Sequence, residues 1–138
     1  MHTVFSAMKA IIKKEKSFLV VKQSLGQSTV WDLPGGKVEY GESPYETLER
    51  EIKEELGIGI KNISITGIWW FFRSKDQNQV ICTTFSCFPT SYDINIKYNP
   101  AKNENIVDYK WTTKHEFLND FYNVSNESLK KLILQIDV

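Results

Sequence analysis

The stretch Gly35–Ile58, GGKVEYGESPYETLEREIKEELGI, constrains this chain more than any other. It reads as a glycine turn, a short extended piece, a second glycine turn and then an acidic helix. Ser43 is placed to cap the helix, Pro44 suits its first position, and Glu46 completes a Ser-x-x-Glu capping box. Gly57 supplies the stop. Tyr45, Leu48, Ile52 and Leu56 recur at helical spacing and predict one buried stripe.

At 100° per residue, Glu54, Glu51 and Glu55 fall on the arc where that stripe ends. Glu51 and Glu55 are i and i+4 neighbours, with Cβ atoms roughly 5–6 Å apart. Carboxylates crowded at the edge of a core repel one another, and each is raised in pKa unless a cation sits among them. An all-oxygen set of this kind suits Mg²⁺ or Mn²⁺. The plainer reading is a solvated face laced with i,i+4 pairs, for which Glu46, Arg50 and Glu54 have the spacing.

The charge distribution bears on the choice. The formal net charge of the 138-residue chain is zero, so nothing global points to nucleic acid or an acidic membrane. Between Lys37 and Glu55, however, seven acids face only Lys37, Arg50 and Lys53, a net of −4. Such a site repels phosphate unless a divalent metal reverses its sign.

The glycines, acids and arginine together resemble the Nudix box, G-x5-E-x7-R-E-U-x-E-E-x-G-U, with U a bulky aliphatic residue. Gly36, Glu42, Arg50, Glu51, Ile52, Glu54, Glu55, Gly57 and Ile58 fill every position. At roughly one in fifteen per fixed position, a chance match is on the order of 10⁻⁷. The resemblance implies an α/β protein, a Nudix-type α/β/α sandwich with a mixed β-sheet. It implies hydrolysis of a nucleoside diphosphate linked to another moiety, with Mg²⁺ or Mn²⁺ as cofactor. Glu54 and Glu55 are then metal ligands, Glu51 a ligand or the proton acceptor, and the Gly35 carbonyl a further ligand. Arg50 holds a carboxylate in a forked pair. Glu39 and Glu42 either reach the metal through water or remain loop charges. Glu104, in a long polar segment from Pro89 to Asn105, is similar in placement to the loop glutamate of MutT-like members and is a candidate base or ligand.

Trp69, Phe71, Arg73 and Asp32 are the candidate substrate-binding residues. The run Trp69–Phe72, with Phe85, offers aromatic faces for a nucleobase, although alternation in a strand sends about half of them to the core. Asp32 lies in the approach Trp31–Gly36, itself similar to that of many Nudix proteins. The box is not followed by the proline typical of ADP-ribose pyrophosphatases or the tyrosine of diadenosine polyphosphate hydrolases. These absences favour a MutT-like enzyme acting on a nucleoside triphosphate and giving a monophosphate and pyrophosphate. A nucleotide sugar or ADP-ribose type of substrate, and a non-catalytic nucleotide-binding domain, are the alternatives.

The remaining elements follow from local pattern. Strands are predicted over Thr3–Ile12, Ser17–Lys22, Val30–Leu33, Ile63–Arg73, Val80–Phe88 and Ile106–Thr112, with helices over His115–Phe121 and Ser125–Ile136. Gln23–Thr29 reads as a polar loop. Cys82 and Cys87, on one strand, stand roughly 16 Å apart, too far for a disulfide. With no signal-type apolar run, the expectation is one soluble, cytoplasmic domain over residues 1–138, a possible homodimer, taking a nucleotide substrate but neither nucleic acid nor membrane.

Overall fold

The computed structural model describes residues 1–96, 104–119 and 126–137, and the side chains of 104 and 105 lie outside that set. Its elements run β1 (Val4–Lys14), β2 (Ser17–Leu25), β3 (Ser28–Asp32), β4 (Gly35–Lys37), α1 (Pro44–Leu56), β5 (Ile60–Phe72), β6 (Gln79–Pro89), β7 (Glu104–Thr113), α2 (Lys114–Leu118) and α3 (Glu127–Gln135). Strand β1 is the spine. Its first part pairs β6 in parallel and β4 antiparallel, and only its last residues, Lys13 and Lys14, pair with β2. Beyond those, β5 pairs antiparallel with β6, while β3 and β7 flank β2. The sheet is therefore mixed, and it splays between a β4-β1-β6-β5 wing and a β7-β2-β3 wing.

Alternation along β1 divides the core. Met8, Ala10 and Ile12 face α1, where Leu48, Ile52 and Leu56 are fully buried with Phe85 and Cys87. Ala7 and Ile11 face the other way, against Phe117 of α2 and Leu129, Leu132 and Ile133 of α3. One helix layer lies on each side, which is the expected α/β/α sandwich. Strand β2 is buried on both faces from Phe18 to Val21, as its unbroken apolar run predicts.

Several local expectations change. The segment Gln23–Thr29 is mostly strand, because β2 and β3 form a tight hairpin whose register carries Leu25 opposite Ser28. Tyr45 is about half exposed rather than buried, since the first turn of α1 projects past the sheet, and its ring leans on Phe85 with centroids 5.5 Å apart. Thr47 takes a fully buried place in α1 that an apolar pattern does not reveal. Phe85 is a core residue and presents no face to a ligand. The helices at the C-terminal end are shorter than their apolar pattern suggests, and Pro100, Phe121 and Ser125 lie outside the described residues.

Candidate active site

Helix α1 starts and stops as its sequence dictates. Ser43 accepts from the Glu46 amide, Glu46 reaches back to the Ser43 amide, and Gly57 closes the end in a left-handed conformation. Burial of Leu48, Ile52 and Leu56 fixes the rotation of the helix. That rotation turns Glu51, Glu54 and Glu55 toward the strand β4 and the mouth of an open cleft.

Arg50 organises the acids. Its Nε donates to one oxygen of Glu42 at 2.7 Å and its Nη2 to the other at 2.9 Å, a forked pair. Its Nη1 donates to Glu51 at 2.9 Å and to Glu54 at 3.4 Å, and Nη2 also reaches the Lys37 carbonyl at 3.3 Å. The i,i+4 pair with Glu54 is thus one arm of a wider network, while Glu46 is used for capping. Glu42 further accepts from the Thr47 hydroxyl and the Glu39 amide. Hydrogen bonding from Arg50 holds its carboxyl well down, at about 2, against a smaller opposing effect of burial. Glu39 is largely exposed, 3.8 Å from Arg50.

Glu55 sits in a different environment. Its carboxylate accepts from the Gly35 amide at 2.8 Å. Burial pushes its carboxyl up to about 8, while the charge of Lys9 and the Gly35 amide pull the other way. Lys9 is 5% exposed, and its ammonium donates to Asp32 at 3.0 Å and to the Leu33 carbonyl at 3.2 Å. Burial works against that charge, yet the Asp32 carboxylate beside it raises the Lys9 pKa overall. Lys9 is a site residue that sequence reading missed. The signal was there in one charge inside the apolar run from Ala7 to Ile12.

The glycines let this happen. Gly35 has a φ of 138°, and a Cβ there would stand 2.0 Å from the Met8 carbonyl oxygen. A Cβ on Gly36 would meet the Glu51 carboxyl carbon at 2.4 Å. Glu51 therefore lies directly over bare backbone.

The cleft, of about 2150 Å³, continues from these acids between the two wings. Trp31, Trp69 and Phe71 line it, with Trp69 and Phe71 stacked at 5.7 Å. Trp70 and Phe72 point to the opposite face of β5 and are about half exposed. Lys37 and the Arg73 guanidinium each stand 4.7 Å from the Phe5 ring centre, and Arg73 is also forked onto Asp76. The Asp32 carboxylate is engaged by Lys9 and by the Leu33 amide. Trp69 Nε1 is buried without a hydrogen-bond partner among the described residues. Glu104 opens β7 opposite Leu25, a cleft-lining residue, so its backbone lies in a strand end rather than a loop. The course of its side chain lies outside the described residues.

Among the described residues no three acidic, histidine or cysteine side chains already converge as a cation cage. Glu51 is turned to Arg50 and Glu55 to the Gly35 amide. The donors nonetheless fit a hard divalent cation: three carboxylates and the Gly35 carbonyl are all oxygen, and the Gly36 cradle leaves Glu51 room at the cleft.

Comparison with known proteins agrees with this geometry. A family model described as NUDIX domain matches residues 3–132. The nucleoside triphosphatase NudI of Escherichia coli is 28% identical over 136 residues, covering 88% of this chain and 91% of that protein. Nudix hydrolase 7 of Arabidopsis thaliana is 31% identical, covering 94% of this chain and 45% of its own length. The crystal structure of a MutT protein from Methanosarcina mazei superposes with a TM-score of 0.79 at 24% identity, over 97% of this chain and 93% of that one. The chain belongs to the Nudix family, has the fold of the MutT structure and is a pyrophosphohydrolase.

Proposed function

We propose that this enzyme hydrolyses nucleoside triphosphates with Mg²⁺ or Mn²⁺, releasing a nucleoside monophosphate and pyrophosphate. The observation that carries the reading is the set of α1 carboxylates spread over the bare backbone of Gly35 and Gly36, at the mouth of an aromatic-walled cleft. The printed name of the Escherichia coli relative, a nucleoside triphosphatase, supports the substrate class.

Glu51, Glu54, Glu55 and the Gly35 carbonyl would hold the cation. When bound, it supplies charge neutralisation at the phosphates and a more acidic water. Arg50 acts through others, since its fork on Glu42 anchors a guanidinium that aims Glu51 and Glu54. Lys9 keeps a positive charge beneath Glu55 and favours that group's ionised form. Glu51 and Glu104 are the two proton acceptors in play. Lys37 and Arg73 bring positive charge to the cleft wall near Phe5, where polyphosphate oxygens would find it. Trp31 and Phe71, only partly buried at the cleft, offer the nucleobase a stacking wall, while Trp69, 3% exposed, is a core residue that backs Phe71 rather than the substrate contact its sequence position suggests. The two cysteines are buried and free, and burial raises both thiols to about 12, in keeping with a reducing, cytoplasmic setting.

One observation favours a second reading. The cleft is open and its wall runs past the acids to Gly26 and Arg73, which leaves room for a nucleoside diphosphate bearing a further group. A panel of nucleoside triphosphates, a nucleotide sugar and ADP-ribose, assayed with Mg²⁺ and followed by phosphorus NMR, separates the readings. Monophosphate plus pyrophosphate from a triphosphate is the expected result. Preferential cleavage of the sugar nucleotide or ADP-ribose selects the second reading, and binding without turnover marks a non-catalytic domain.

A further inference from the structure

We infer that the uncovered face of β5 is the interface of a homodimer. Register places Phe72, Trp70, Ile68 and Ile65 beside Gln79, Ile81, Thr83 and Phe85 of β6. Those in turn lie beside Val4, Ser6, Met8 and Ala10 of β1. All belong to the side of the sheet that carries α1. Among the described residues the helix covers β4, β1 and the Phe85 end of β6 on that side, and Val4, Ile65, Ile68, Trp70 and Phe72 are 47–67% exposed. On the opposite side, α3 covers β5.

The character of this face names its occupant. None of the positions just named is charged, so the face offers nothing to a nucleic acid or an anionic lipid surface. Addition of a peptide strand along the β5 edge is obstructed at Trp70. There Ser128 Oγ accepts from the Trp70 amide and donates to its carbonyl, and Asn126 donates to the same carbonyl. The exposed parts of the five apolar side chains present roughly 500–600 Å². Tyr45 extends the patch at the α1 rim. That is at the top of the roughly 300–600 Å² of the largest patches on monomers, which are often functional, and with the polar side chains between them it approaches the roughly 800 Å² per partner of a standard interface. A second copy related by a two-fold axis presents the same uncharged, apolar sheet face. Two such faces pack sheet on sheet at about 10 Å. The dimer stands whatever the substrate proves to be.

Light scattering on a sizing column, or sedimentation equilibrium, tests it. Interfaces of standard size hold in the micromolar range or tighter, so at roughly 50 µM most of the protein should be dimeric. The wild type is expected at twice 16.0 kDa. Ile68→Lys and Phe72→Glu are each expected to run at the monomer mass with unchanged far-ultraviolet circular dichroism. Ile65→Lys, at the most exposed of these positions, serves where either of those fails to fold. Leu134→Lys, on exposed surface of α3, is expected to leave the dimer intact. A wild type that stays at 16.0 kDa overturns the inference. So does a dimer that survives the β5 substitutions or dissociates only with Leu134→Lys.

Discussion

At the scale of single residues, the site holds two carboxylates in opposite states. Glu42 is stabilised as the anion by the Arg50 fork, whereas Glu55 is buried with too little compensation and favours its proton. The consequences for stability have opposite signs. Glu42, depressed toward about 2, stabilises the fold above its unfolded pKa near 4.5, and this contribution fades as pH falls toward 2. Glu42→Gln is therefore expected to lose part of the wild type's neutral-pH stability and to show a shallower acid limb, read from urea unfolding between pH 2 and 6. Glu55, raised to about 8, is most favourable to folding below pH 4.5, while both states hold the proton. Its burden grows as pH rises from 4.5 to 8, because the unfolded chain releases that proton first. In chelator the loss should be on the order of 5 kcal/mol, and Glu55→Gln should flatten it. An unchanged slope in that variant means the Glu55 carboxyl is not held in a poorly solvated place. Arg50→Lys cannot make the fork. It should cost about 1–3 kcal/mol by thermal or urea unfolding, and a cost near zero would show the network to be ornamental.

At the scale of elements, α1 and β4 act as one device. The three buried aliphatics of α1 orient the helix, and the two glycines of β4 receive what it presents. Ile52→Ala should lose about 2–5 kcal/mol in chemical denaturation, with whatever activity remains scaling with the folded fraction. The glycines should divide by what they meet. Gly35→Ala drives a methyl into Met8 backbone at a positive φ, so the protein should fold poorly. The atoms that Gly36→Ala meets first are the movable end of Glu51. The fold should survive within roughly 1 kcal/mol, while kcat falls about tenfold or more because Glu51 is displaced. Equal stability losses in the two variants would refute that division. This device was legible in the sequence because capping, helical spacing and the glycine pair are local rules. Strand β2 was legible too, from an apolar run that only two-sided burial explains. The hairpin at Gly26 was not, since Gln23, Ser24 and Thr29 are polar on a rim where strands need no apolar alternation. Nor was the engagement of Asp32 by Lys9, which joins residues 23 positions apart and depends on the β3–β4 connection reaching β1, where the Ala10 amide donates to the Pro34 carbonyl.

At the scale of the whole molecule, the sheet's division into two wings creates the cleft, and no local pattern announces it. Parallel pairing of β1 with β6 brings residues some seventy positions apart into register. It places Trp69 and Phe71 on the cleft wall and turns Trp70 and Phe72 outward. Alternation alone showed that the aromatics must divide, but which pair faced a ligand depended on the register. On the proposed function, the α1 acids serve catalysis with a divalent cation and not the fold. The measurement that tests it most directly is kcat across a Mg²⁺ titration from chelator to saturation, for wild type and Glu55→Gln, with melting curves of both in chelator. The expected result is no wild-type turnover in chelator, a loss of about 10²-fold or more in kcat for Glu55→Gln at saturating Mg²⁺, and a variant that melts at or above the wild type. Turnover that persists in chelator, or a Glu55→Gln protein that melts well below wild type, would contradict it.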